Sequence, residues 1–478
     1  MNTMTTALPG RLLIGGQWRE ATGGREFPVT NPADGSELAT VADATPDDAL
    51  AALDAAVAAQ ARWAATPARE RSEILRRSFE EILARRDELA RIITLEMGKP
   101  LADAHAEIDY GAEFFRWFAE EAVRIDGGYK ASPSGSGRIL VMRQPVGPAL
   151  LITPWNFPLA MATRKIGPAL AAGCTVVVKP AEQTPLTTLA LAGILEKCGV
   201  PAGVVNVVTT SAPGPAVSAL LRDPRLRKLS FTGSTDVGRL LLAQAAETVL
   251  RTSMELGGNA PFLVFDDADL DAAVEGALLA KLRNMGEACT AANRFYVQRP
   301  VAAEFAARLA ERMAALRVAP GLEEGSQIGP LIDEAGRDKV AALVKDAVRK
   351  GARVLAGGTP VDGPGYFYPP TVLTDVPGTA DLLGQEIFGP VAPVLPFDSD
   401  DEAIALANET EYGLVAYLYT RDIGRALRTA EALETGMVGL NQGVISNAAA
   451  PFGGVKQSGL GREGGPSGID EYLDTKYL

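Results

Sequence analysis

The sequence predicts an α/β protein with parallel sheets, and two alternating patterns carry this prediction. From Pro148 onward, the short apolar segments ALLIT, TVVVK, GVVNVVT and KLSFTG are separated by helical stretches. A second series follows, with APFLVFD, RFYVQR, VLAGG, APVLPF and AYLYT. Apolar strands that alternate with helices are typical of a parallel sheet covered by helices on both faces. The two series therefore predict two α/β domains.

Length and composition agree with this class. A chain of 478 residues with 47% apolar side chains has room for about three domains of ~150 residues. The formal net charge of −13 argues against nucleic acid or an anionic membrane as a partner, because both require a basic surface. A small anionic substrate would need a local positive site. The longest apolar runs are far too short to cross a bilayer.

The three cysteines, Cys174, Cys198 and Cys289, are too few and too scattered for a disulfide framework or a zinc site. This usage favours a reducing compartment. The segment from Met1 to Gly16 also lacks the apolar run of a secretory signal. We therefore expect a cytoplasmic protein without a metal site.

The segment before the first sheet predicts hairpins and then helices. Residues 11–42 contain two apolar stretches with Asn-Pro and Asp-Gly turns, which indicate short hairpins. From Thr45 to Ile125 the pattern is helical, with breaks at Pro67 and Pro100. The single histidine, His105, lies on this helical stretch, and we expect it to be structural. A general base must then be a carboxylate or a lysine.

Two further stretches predict strands outside the large sheets. Residues 128–147 combine a Ser/Gly loop with an alternating strand, and the chain ends in the alternating segment IDEYLDTKYL. The segment PFGGVKQSGLGREGG, residues 451–465, predicts a loop. Unpaired strands would leave exposed edges, which proteins usually cover. We therefore expect both strands to belong to an oligomerisation element.

Ligands of parallel sheets bind at the carboxyl ends of the strands, and polar segments follow these strands. After ALLI comes TPWNFP, where prolines and aromatic side chains hold the amide of Asn156, a donor suited to a developing oxyanion. After TVVV comes KPAEQTP, in which Lys179 and Glu182 are suited to a ribose diol. A carboxylate there repels a 2′-phosphate, so this interpretation favours NAD over NADP. A surface turn explains the same residues equally well.

The segment TGSTDVG, residues 232–238, follows the strand KLSF and opens a helix. It is neither a G-x-G-x-x-G motif nor a Walker loop. Gly233 and an N-cap at Ser234 still leave a helix N-terminus able to hold a phosphate. An ordinary capped helix is the simpler alternative, so the segment alone does not decide between the two.

Two reactive side chains stand in glycine-rich segments. MELGGN places Glu255 at the end of an apolar strand, where poor solvation should raise its pKa towards that of a useful base. MGEACTAANRF places Cys289 among small neighbours that leave a thiol accessible. A free cysteine is more often buried and inert. The interpretation of Cys289 as a reactive thiol therefore depends on the other motifs.

Together these segments resemble the aldehyde dehydrogenase superfamily over essentially the whole chain. The matching motifs, in chain order, are TPWNFP, VVVKPAEQTP, FTGSTDVG, MELGGN, GEACTAANR, EIFGPV and PFGGVKQSGLGREG. The resemblance implies NAD(P)-dependent oxidation of an aldehyde to a carboxylate, in a homodimer or homotetramer. It also implies a Rossmann-like dinucleotide-binding domain (1–127 and 148–256), a catalytic domain (257–450), and a β oligomerisation flap with the C-terminal tail (128–147 and 451–478).

The resemblance also implies roles for individual residues. Cys289 is the implied nucleophile and Glu255 the general base, while Asn156 forms an oxyanion hole with the backbone amide of Cys289. A thiol with the usual pKa of ~8.5 is only slightly ionised at neutral pH, so it must lose its proton during the reaction. The resulting thioester needs water, which Glu255 would activate. The implied cofactor contacts are Thr153, Trp155, Lys179, Glu182, Gly233, Ser234, Leu256, Glu386 and Phe388.

Three residues indicate the substrate. Arg164 in MATRKIGPAL, Arg283 in KLRNMGEAC and Ser446 in GVISNAAAPFGG are similar to the residues with which the succinate-semialdehyde dehydrogenase subfamily binds the far carboxylate of its substrate. A guanidinium group six residues before the nucleophile suits a carboxylate, because it binds both oxygens at once. A salt bridge at a helix end is the alternative for Arg283.

Two positions depart from the family pattern. Ala291 stands where some relatives carry a second cysteine, so we expect no disulfide switch, and Asn447 replaces a serine of several relatives. Glutarate semialdehyde, or a sulfonated or phosphonated short aldehyde, therefore remains an alternative substrate. A CoA-acylating dehydrogenase, which needs no base for water, and a catalytically silent relative are the remaining alternatives.

Overall fold

The computed structural model describes residues 10–478, so the first nine residues of the predicted first domain and of the segment from Met1 to Gly16 lie outside the described residues. In chain order the helices are α1 (Pro46–Ala65), α2 (Ala68–Ala84), α3 (Arg86–Met97), α4 (Leu101–Ala122), α5 (Pro158–Ala172), α6 (Pro185–Lys197), α7 (Pro213–Arg222), α8 (Thr235–Ala246), α9 (Leu270–Leu282), α10 (Arg299–Ala314), α11 (Glu334–Lys350), α12 (Asp400–Asn408), α13 (Ile423–Ala432) and α14 (Ser467–Asp470).

The strands, numbered in the same way, are β1 (Leu12–Ile14), β2 (Gln17–Arg19), β3 (Glu26–Thr30), β4 (Glu37–Ala42), β5 (Gly128–Ala131), β6 (Arg138–Pro145), β7 (Ala149–Ile152), β8 (Val176–Lys179), β9 (Val205–Val207), β10 (Lys228–Thr232), β11 (Arg251–Glu255), β12 (Ala260–Val264), β13 (Ala292–Gln298), β14 (Arg353–Ala356), β15 (Thr371–Thr374), β16 (Val391–Phe397), β17 (Tyr412–Gly413), β18 (Val415–Tyr419), β19 (Met437–Leu440), β20 (Val455–Lys456), β21 (Gly459–Leu460) and β22 (Leu473–Tyr477).

The first large sheet contains eight strands in the order β2-β1-β9-β8-β7-β10-β11-β21. Its five central strands, from β9 to β11, are parallel, as the first alternating series predicts. All residues of β7, β8, β9 and β10 are buried, because helices cover both faces of the sheet. The hairpins predicted in residues 11–42 are also confirmed, as the pairs β1–β2 and β3–β4.

Helices α1 to α4 occupy the stretch that the sequence predicts as helical. Thr45 and Asp48 form a reciprocal capping box at the start of α1. Pro67 and Pro100 each stand directly before a helix, at the starts of α2 and α4. His105 lies on α4, and its Nε2 is 2.9 Å from an Asp87 carboxylate oxygen. This surface contact agrees with the structural role that we expect for the histidine.

The second large sheet has seven strands in the order β14-β15-β16-β13-β12-β18-β19. All of its strand pairs are parallel except β14–β15, which confirms the second α/β series. One boundary differs from the prediction, because Arg299, the last residue of the predicted strand RFYVQR, is the first residue of α10. Pro300 lies in the first turn, where a missing N–H costs nothing and the restricted φ already suits a helix.

The strands predicted in residues 128–147 and at the C-terminus pair with each other. β6 pairs with both β5 and β22, so the predicted strands form one antiparallel three-stranded sheet. The segment 451–465, predicted as a loop, contributes β20 and β21. β21 pairs with β11 beside Glu255, and β20 pairs with β17. The C-terminal strand is also shorter than predicted, because Ser467–Asp470 forms a helical turn. The segment 451–465 therefore returns to the edge of the first sheet.

Within residues 10–478, none of the helices combines the length and apolar character that crossing a membrane requires.

Candidate active site

A cavity of about 240 Å³ lies where β7, β10 and β11 end. Its position agrees with the rule that ligands of parallel sheets bind at the carboxyl ends of the strands. The loops before β13 and β16 complete its walls. Most of the predicted site residues line this cavity, namely Trp155, Asn156, Arg164, Gly233, Ser234, Glu255, Leu256, Arg283, Cys289, Glu386, Phe388 and Ser446.

Three predicted cofactor residues lie outside this cavity. The amide of Thr153 donates to the carbonyl of Lys179 across 3.1 Å, which joins the ends of β7 and β8. Lys179 Nζ lies 3.1 Å from Glu182 Oε2, and Glu182 lines a separate cavity of about 330 Å³. The three residues therefore lie together at the carboxyl ends of β7 and β8, on the same side of the sheet as the end of β11 that carries Glu255.

A sharp turn brings Cys289 to the cavity. Asn284 and Met285 both have φ of 56°, and Gly286 has φ of 80°, so three consecutive residues are left-handed. A side chain at Gly286 would also lie 2.3 Å from the carbonyl oxygen of Gly389, which makes glycine necessary at this position. The turn ends α9 and presents a half-buried thiol, whereas the other two cysteines are buried.

The thiol of Cys289 is neutral at rest. Burial raises the pKa of Cys289 to about 12, and the Glu255 carboxyl adds to this shift, while Arg164 and Arg283 oppose it. A thiolate is the reactive form of cysteine. The proton must therefore leave the sulfur when the sulfur reacts.

Glu255 ends β11 inside the same cavity. Burial raises the pKa of Glu255 to about 8, with Arg164 opposing this effect and Glu463 adding to it. Its Oε1 atom is buried and has no hydrogen-bond partner within residues 10–478. A carboxylate without a partner, and with a pKa near neutrality, is suited to take a proton from a water molecule.

Sequence reasoning missed two charged residues behind Glu255, namely Glu463 and Lys165. Glu463 lies 2.5 Å from Lys165 Nζ through one oxygen and 2.5 Å from Arg164 Nε through the other. Burial acts to raise the pKa of Glu463, but the two cations outweigh it and the pKa lies below its usual value. The motif PFGGVKQSGLGREG contains this glutamate, yet a glycine-rich segment predicts a loop and gives no sign of burial.

Asn156 lines the cavity together with Cys289. Its Nδ2 atom donates to the carbonyl of Glu287 across 3.0 Å, and the residue is 5% exposed. A primary amide has two N–H bonds, so this contact leaves one of them for an oxygen of the substrate. The arrangement can stabilise a negative charge that develops next to the sulfur.

The two cavity arginines differ in their partners. Arg164 is paired with Glu463 and lies over the ring of Phe452, 4.2 Å from its centroid. Arg283 donates to Ser446 Oγ across 3.0 Å and lies over the rings of Phe157 and Tyr110, with no acidic partner among residues 10–478. Of the two arginines, Arg283 is therefore the one that remains available to an anionic ligand.

The opposite part of the cavity has features that fit a dinucleotide. The rings of Trp155 and Phe388 meet edge to face, with centroids 5.3 Å apart. Glu386 accepts a hydrogen bond of 3.2 Å from the amide of Gly258, and burial raises the pKa of Glu386 to about 7. Ser234 caps α8 by accepting from the Val237 amide, which places a helix N-terminus at the cavity wall.

This part of the cavity also contains backbone that only glycine allows. A side chain at Gly233 would lie 2.5 Å from the ring of Phe231, so glycine keeps the approach to α8 open for a large ligand. Among residues 10–478, no group of three or more His, Cys, Asp or Glu side chains is arranged to hold a metal ion. The N-terminus of α8 at Ser234 is the feature that fits the phosphate of an organic cofactor.

Comparisons with known proteins agree with this site. The chain is 62% identical over 441 residues to a succinate-semialdehyde dehydrogenase of Paenarthrobacter nicotinovorans, covering 92% of this chain and 98% of the relative. It is 52% identical over 466 residues to succinate-semialdehyde dehydrogenase (NADP(+)) GabD of Escherichia coli K12, covering 98% and 96%. A glutarate-semialdehyde dehydrogenase of Pseudomonas putida KT2440 is 52% identical over 465 residues, with 97% and 96% covered.

The fold and a family model give the same result. The crystal structure of succinate-semialdehyde dehydrogenase from Burkholderia pseudomallei superimposes with a TM-score of 0.98 at 51% identity, covering 100% of this chain and 99% of that one. A model of the aldehyde dehydrogenase family matches residues 18–478. The chain belongs to the aldehyde dehydrogenase family, whose members oxidise aldehydes with NAD(P).

Proposed function

We propose that this enzyme oxidises a short anionic semialdehyde, succinate semialdehyde first of all, to the carboxylate. The observation that carries the proposal is the cavity that Arg283 shares with Cys289 and Glu255, since Arg283 forms no ion pair with any acidic residue of the described range 10–478. The names of the relatives support the same substrate class. Glutarate semialdehyde and sulfonated or phosphonated short aldehydes are the alternatives, because Asn447 lies beside Ser446 at the cavity wall.

Cys289 acts as the nucleophile in this proposal. Its sulfur forms a bond to the aldehyde carbon, the thiol proton passes to solvent water, and the carbonyl oxygen takes the electron pair of the C=O bond as an oxyanion. The free N–H of Asn156 and the backbone amide of Cys289 donate to this oxyanion. Bound NAD(P) supplies the acceptor for the hydride that leaves the carbon. Trp155, Glu386 and Phe388 are the residues that would hold its nicotinamide end.

Glu255 acts as the general base in the second half of the reaction. A water molecule loses a proton to Glu255 and attacks the thioester carbon. The carbon–sulfur bond then breaks with its electron pair going to the sulfur, and Glu255 returns the proton to the sulfur as the acid leaves. The position of Glu255 at the end of β11 keeps the base in the same buried cavity as the sulfur of Cys289. A base for water has no use in a CoA-acylating enzyme, so Glu255 favours hydrolysis, and a CoA requirement for turnover would reverse this conclusion.

The far anion of the substrate binds to Arg283 and Ser446. A guanidinium group that forms two parallel hydrogen bonds to a carboxylate is both strong and directional. Arg164 lines the same cavity, but its pairing with Glu463 neutralises its charge. We assign Arg164 the role of supporting this end of the cavity, with Arg283 as the main anion contact. These contacts also argue against a catalytically silent relative.

We propose a preference for NAD over NADP. Glu182 carries the proposal, because a carboxylate at the adenosine ribose repels a 2′-phosphate. The side chain of Glu182 is 40% exposed, and Lys179 Nζ lies 3.1 Å away. The charge of Lys179 reduces the repulsion between Glu182 and a 2′-phosphate. In addition, one relative that is 52% identical to this chain carries NADP(+) in its name. We expect the preference for NAD to be modest.

We also propose that the sheet of β5, β6 and β22 joins copies of the chain into a homodimer or homotetramer. Its two outer strands carry Tyr129 and Tyr477, which are 69% and 78% exposed.

The proposed domains are the dinucleotide-binding part (1–127 and 148–256), the catalytic part (257–450) and the oligomerisation element with the tail (128–147 and 451–478). The three unpaired thiols support a cytoplasmic location.

The raised pKa of Glu255 predicts how turnover depends on pH. The carboxyl is protonated below its pKa of about 8 and ionised above it, and only the ionised form takes a proton from water. Where thioester hydrolysis limits turnover, kcat should rise about tenfold per pH unit below this pKa and level off above it. Glu255→Gln should abolish the rise, whereas the exposed control Glu275→Gln should keep it. A flat kcat profile for the wild-type enzyme would contradict the assignment.

The oxyanion role predicts the effect of removing one donor. Asn156→Ala should lower kcat by roughly 10² with little change in KM, because the lost contact forms only as charge develops. Cys289→Ala should abolish oxidation and sets the floor of the NADH absorbance assay. Asn408→Ala, which removes an amide far from the cavity, is the matched control. Wild-type kcat in Asn156→Ala would refute the oxyanion role.

The uncompensated charge of Arg283 predicts which substrates need this residue for binding. Arg283→Ala should raise KM for succinate semialdehyde about tenfold to a hundredfold, as expected for lost hydrogen bonds to a charged group. A neutral aldehyde of equal length should be little affected. The exposed Arg299→Ala variant serves as control, and ω-carboxylic, sulfonic and phosphonic aldehydes are assayed in parallel. An equal rise in KM for charged and neutral aldehydes would show that Arg283 does not bind the anion of the substrate.

The cofactor proposal predicts a change in discrimination at Glu182. Glu182→Gln removes the charge but keeps the shape of the side chain, so KM for NADP should fall while KM for NAD stays similar or rises. The ratio of kcat/KM for the two cofactors should therefore move towards NADP by about tenfold. A wild-type enzyme that already prefers NADP, or a ratio that stays constant in the variant, would show the proposed preference to be wrong.

A further inference from the structure

Two oppositely charged residues are fully buried behind the Asn156 loop. Lys99 lies in the turn between α3 and α4, and Glu107 lies on the second turn of α4. Their exposed fractions are 0% and 1%, and Lys99 Nζ is 2.6 Å from Glu107 Oε2. Removing two charges from water is costly, and a hydrophobic pair of similar volume often serves stability as well or better. Stability alone therefore does not explain why charged residues lie here.

The other side-chain contacts of the pair go to the loop that carries Asn156 and to the start of α5, which follows this loop. Lys99 Nζ donates to the backbone carbonyl of Asn156 across 2.8 Å and lies 4.1 Å from the ring centroid of Phe157. Glu107 Oε1 accepts from the first amides of α5, Leu159 at 2.8 Å and Ala160 at 3.2 Å. The N-cap residue of α5 provides no side-chain cap of its own, so Glu107 supplies this cap from another helix.

The nucleophile loop holds Asn156 from the other side. Asn284, in the left-handed turn before the cysteine, donates from Nδ2 to the carbonyl of Asn156 across 3.1 Å and to the carbonyl of Glu287 across 2.9 Å. The side chain of Asn156 donates to that same carbonyl of Glu287. The backbone carbonyl of Asn156 thus accepts from both Lys99 and Asn284, and the side-chain amide of Asn156 is held by the loop of Cys289.

We propose that the buried Lys99–Glu107 ion pair positions the oxyanion hole, and this inference rests on the proposed function. The pair fixes the carbonyl of Asn156 and the start of α5, so the side-chain amide keeps a constant distance from the sulfur of Cys289. Lys99 and Glu107 touch neither substrate nor cofactor in this proposal and are positioning residues. A donor misplaced by about 1 Å costs roughly a hundredfold in rate, which is why a rigid support has value here.

The test exchanges the pair for a neutral one of similar size. In Lys99→Met/Glu107→Gln, the glutamine still offers an oxygen to the amides of α5, while the Lys99 donor to the Asn156 carbonyl is lost and only the Asn284 donor is left. We expect kcat to fall roughly tenfold or more, for charged and neutral aldehydes alike. KM for both aldehydes should stay within about twofold of wild type, because the far-anion site is unchanged.

A double-mutant cycle separates positioning from stability. In an Asn156→Ala background, the same exchange should lower kcat by less than about twofold, because the amide that it positions is gone. A loss in that background equal to the loss in the wild-type background would overturn the proposal. So would a full-length variant that loses thermal stability but keeps wild-type kcat.

A matched control comes from a second buried lysine. Lys228 is 0% exposed, lies 3.5 Å from Glu471 Oε2 and stands at the start of β10, outside the cavity. Lys228→Met/Glu471→Gln should lower Tm and leave kcat within about twofold of wild type in both backgrounds. A fall in kcat in this control like that of the Lys99–Glu107 exchange would mean that any buried charge exchange harms turnover, and the proposal would fail.

Two further results keep the test decisive. If the double variant does not fold, Glu107→Gln alone is taken through the same cycle, with the same criterion of non-additivity with Asn156→Ala. Failure of the underlying function looks different, because the wild-type enzyme would then not oxidise aldehydes, or Asn156→Ala would keep full kcat. Loss of coupling between the ion pair and Asn156 in an otherwise active enzyme refutes the positioning alone.

Discussion

Burial of Cys289 and Glu255 in one shared cavity is the constraint on which the rest of this structure depends. Burial raises the pKa values of both groups, so the thiol is protonated at rest and the carboxyl changes its charge near neutral pH. Neither group could be held in this way at a protein surface, where water stabilises charged forms. The two sheets make this burial possible, because their strands are rigid and the loops at the strand ends meet at one cavity.

The charges that surround this space are paired in a consistent manner. Glu463 lies between Lys165 and Arg164, and Lys99 lies against Glu107, each with little or no exposure to solvent. A buried charge without a partner is strongly destabilising. Most of these pairs join different elements of the fold, so the same contacts that satisfy buried charge also fix the loops around the reacting atoms.

Local patterns in the sequence predict the central strands well, whereas pairing between distant segments is harder to predict. The strands from β7 to β11 and the position of Glu255 at a strand end are predictable from apolar periodicity. The return of residues 451–465 to β11 is not, because short strands rich in glycine resemble loops. Lys99 and Glu107 were also missed, since a lysine and a glutamate near the start of an amphipathic helix usually face solvent, and only the packed fold shows that they do not.

The difference between Arg164 and Arg283 shows why a family motif does not by itself define a role. Both arginines line the cavity, and the motifs assign them equal weight as anion contacts. In the fold, Glu463 already compensates Arg164, whereas Arg283 contacts the hydroxyl of Ser446 and two aromatic rings and forms no ion pair within residues 10–478. An anion that binds beside Arg283 would pair a half-buried cation, while one beside Arg164 would compete with a carboxylate 2.5 Å away. The proposed selection of anionic aldehydes therefore rests on this asymmetry in pairing, and not on the number of arginines at the site.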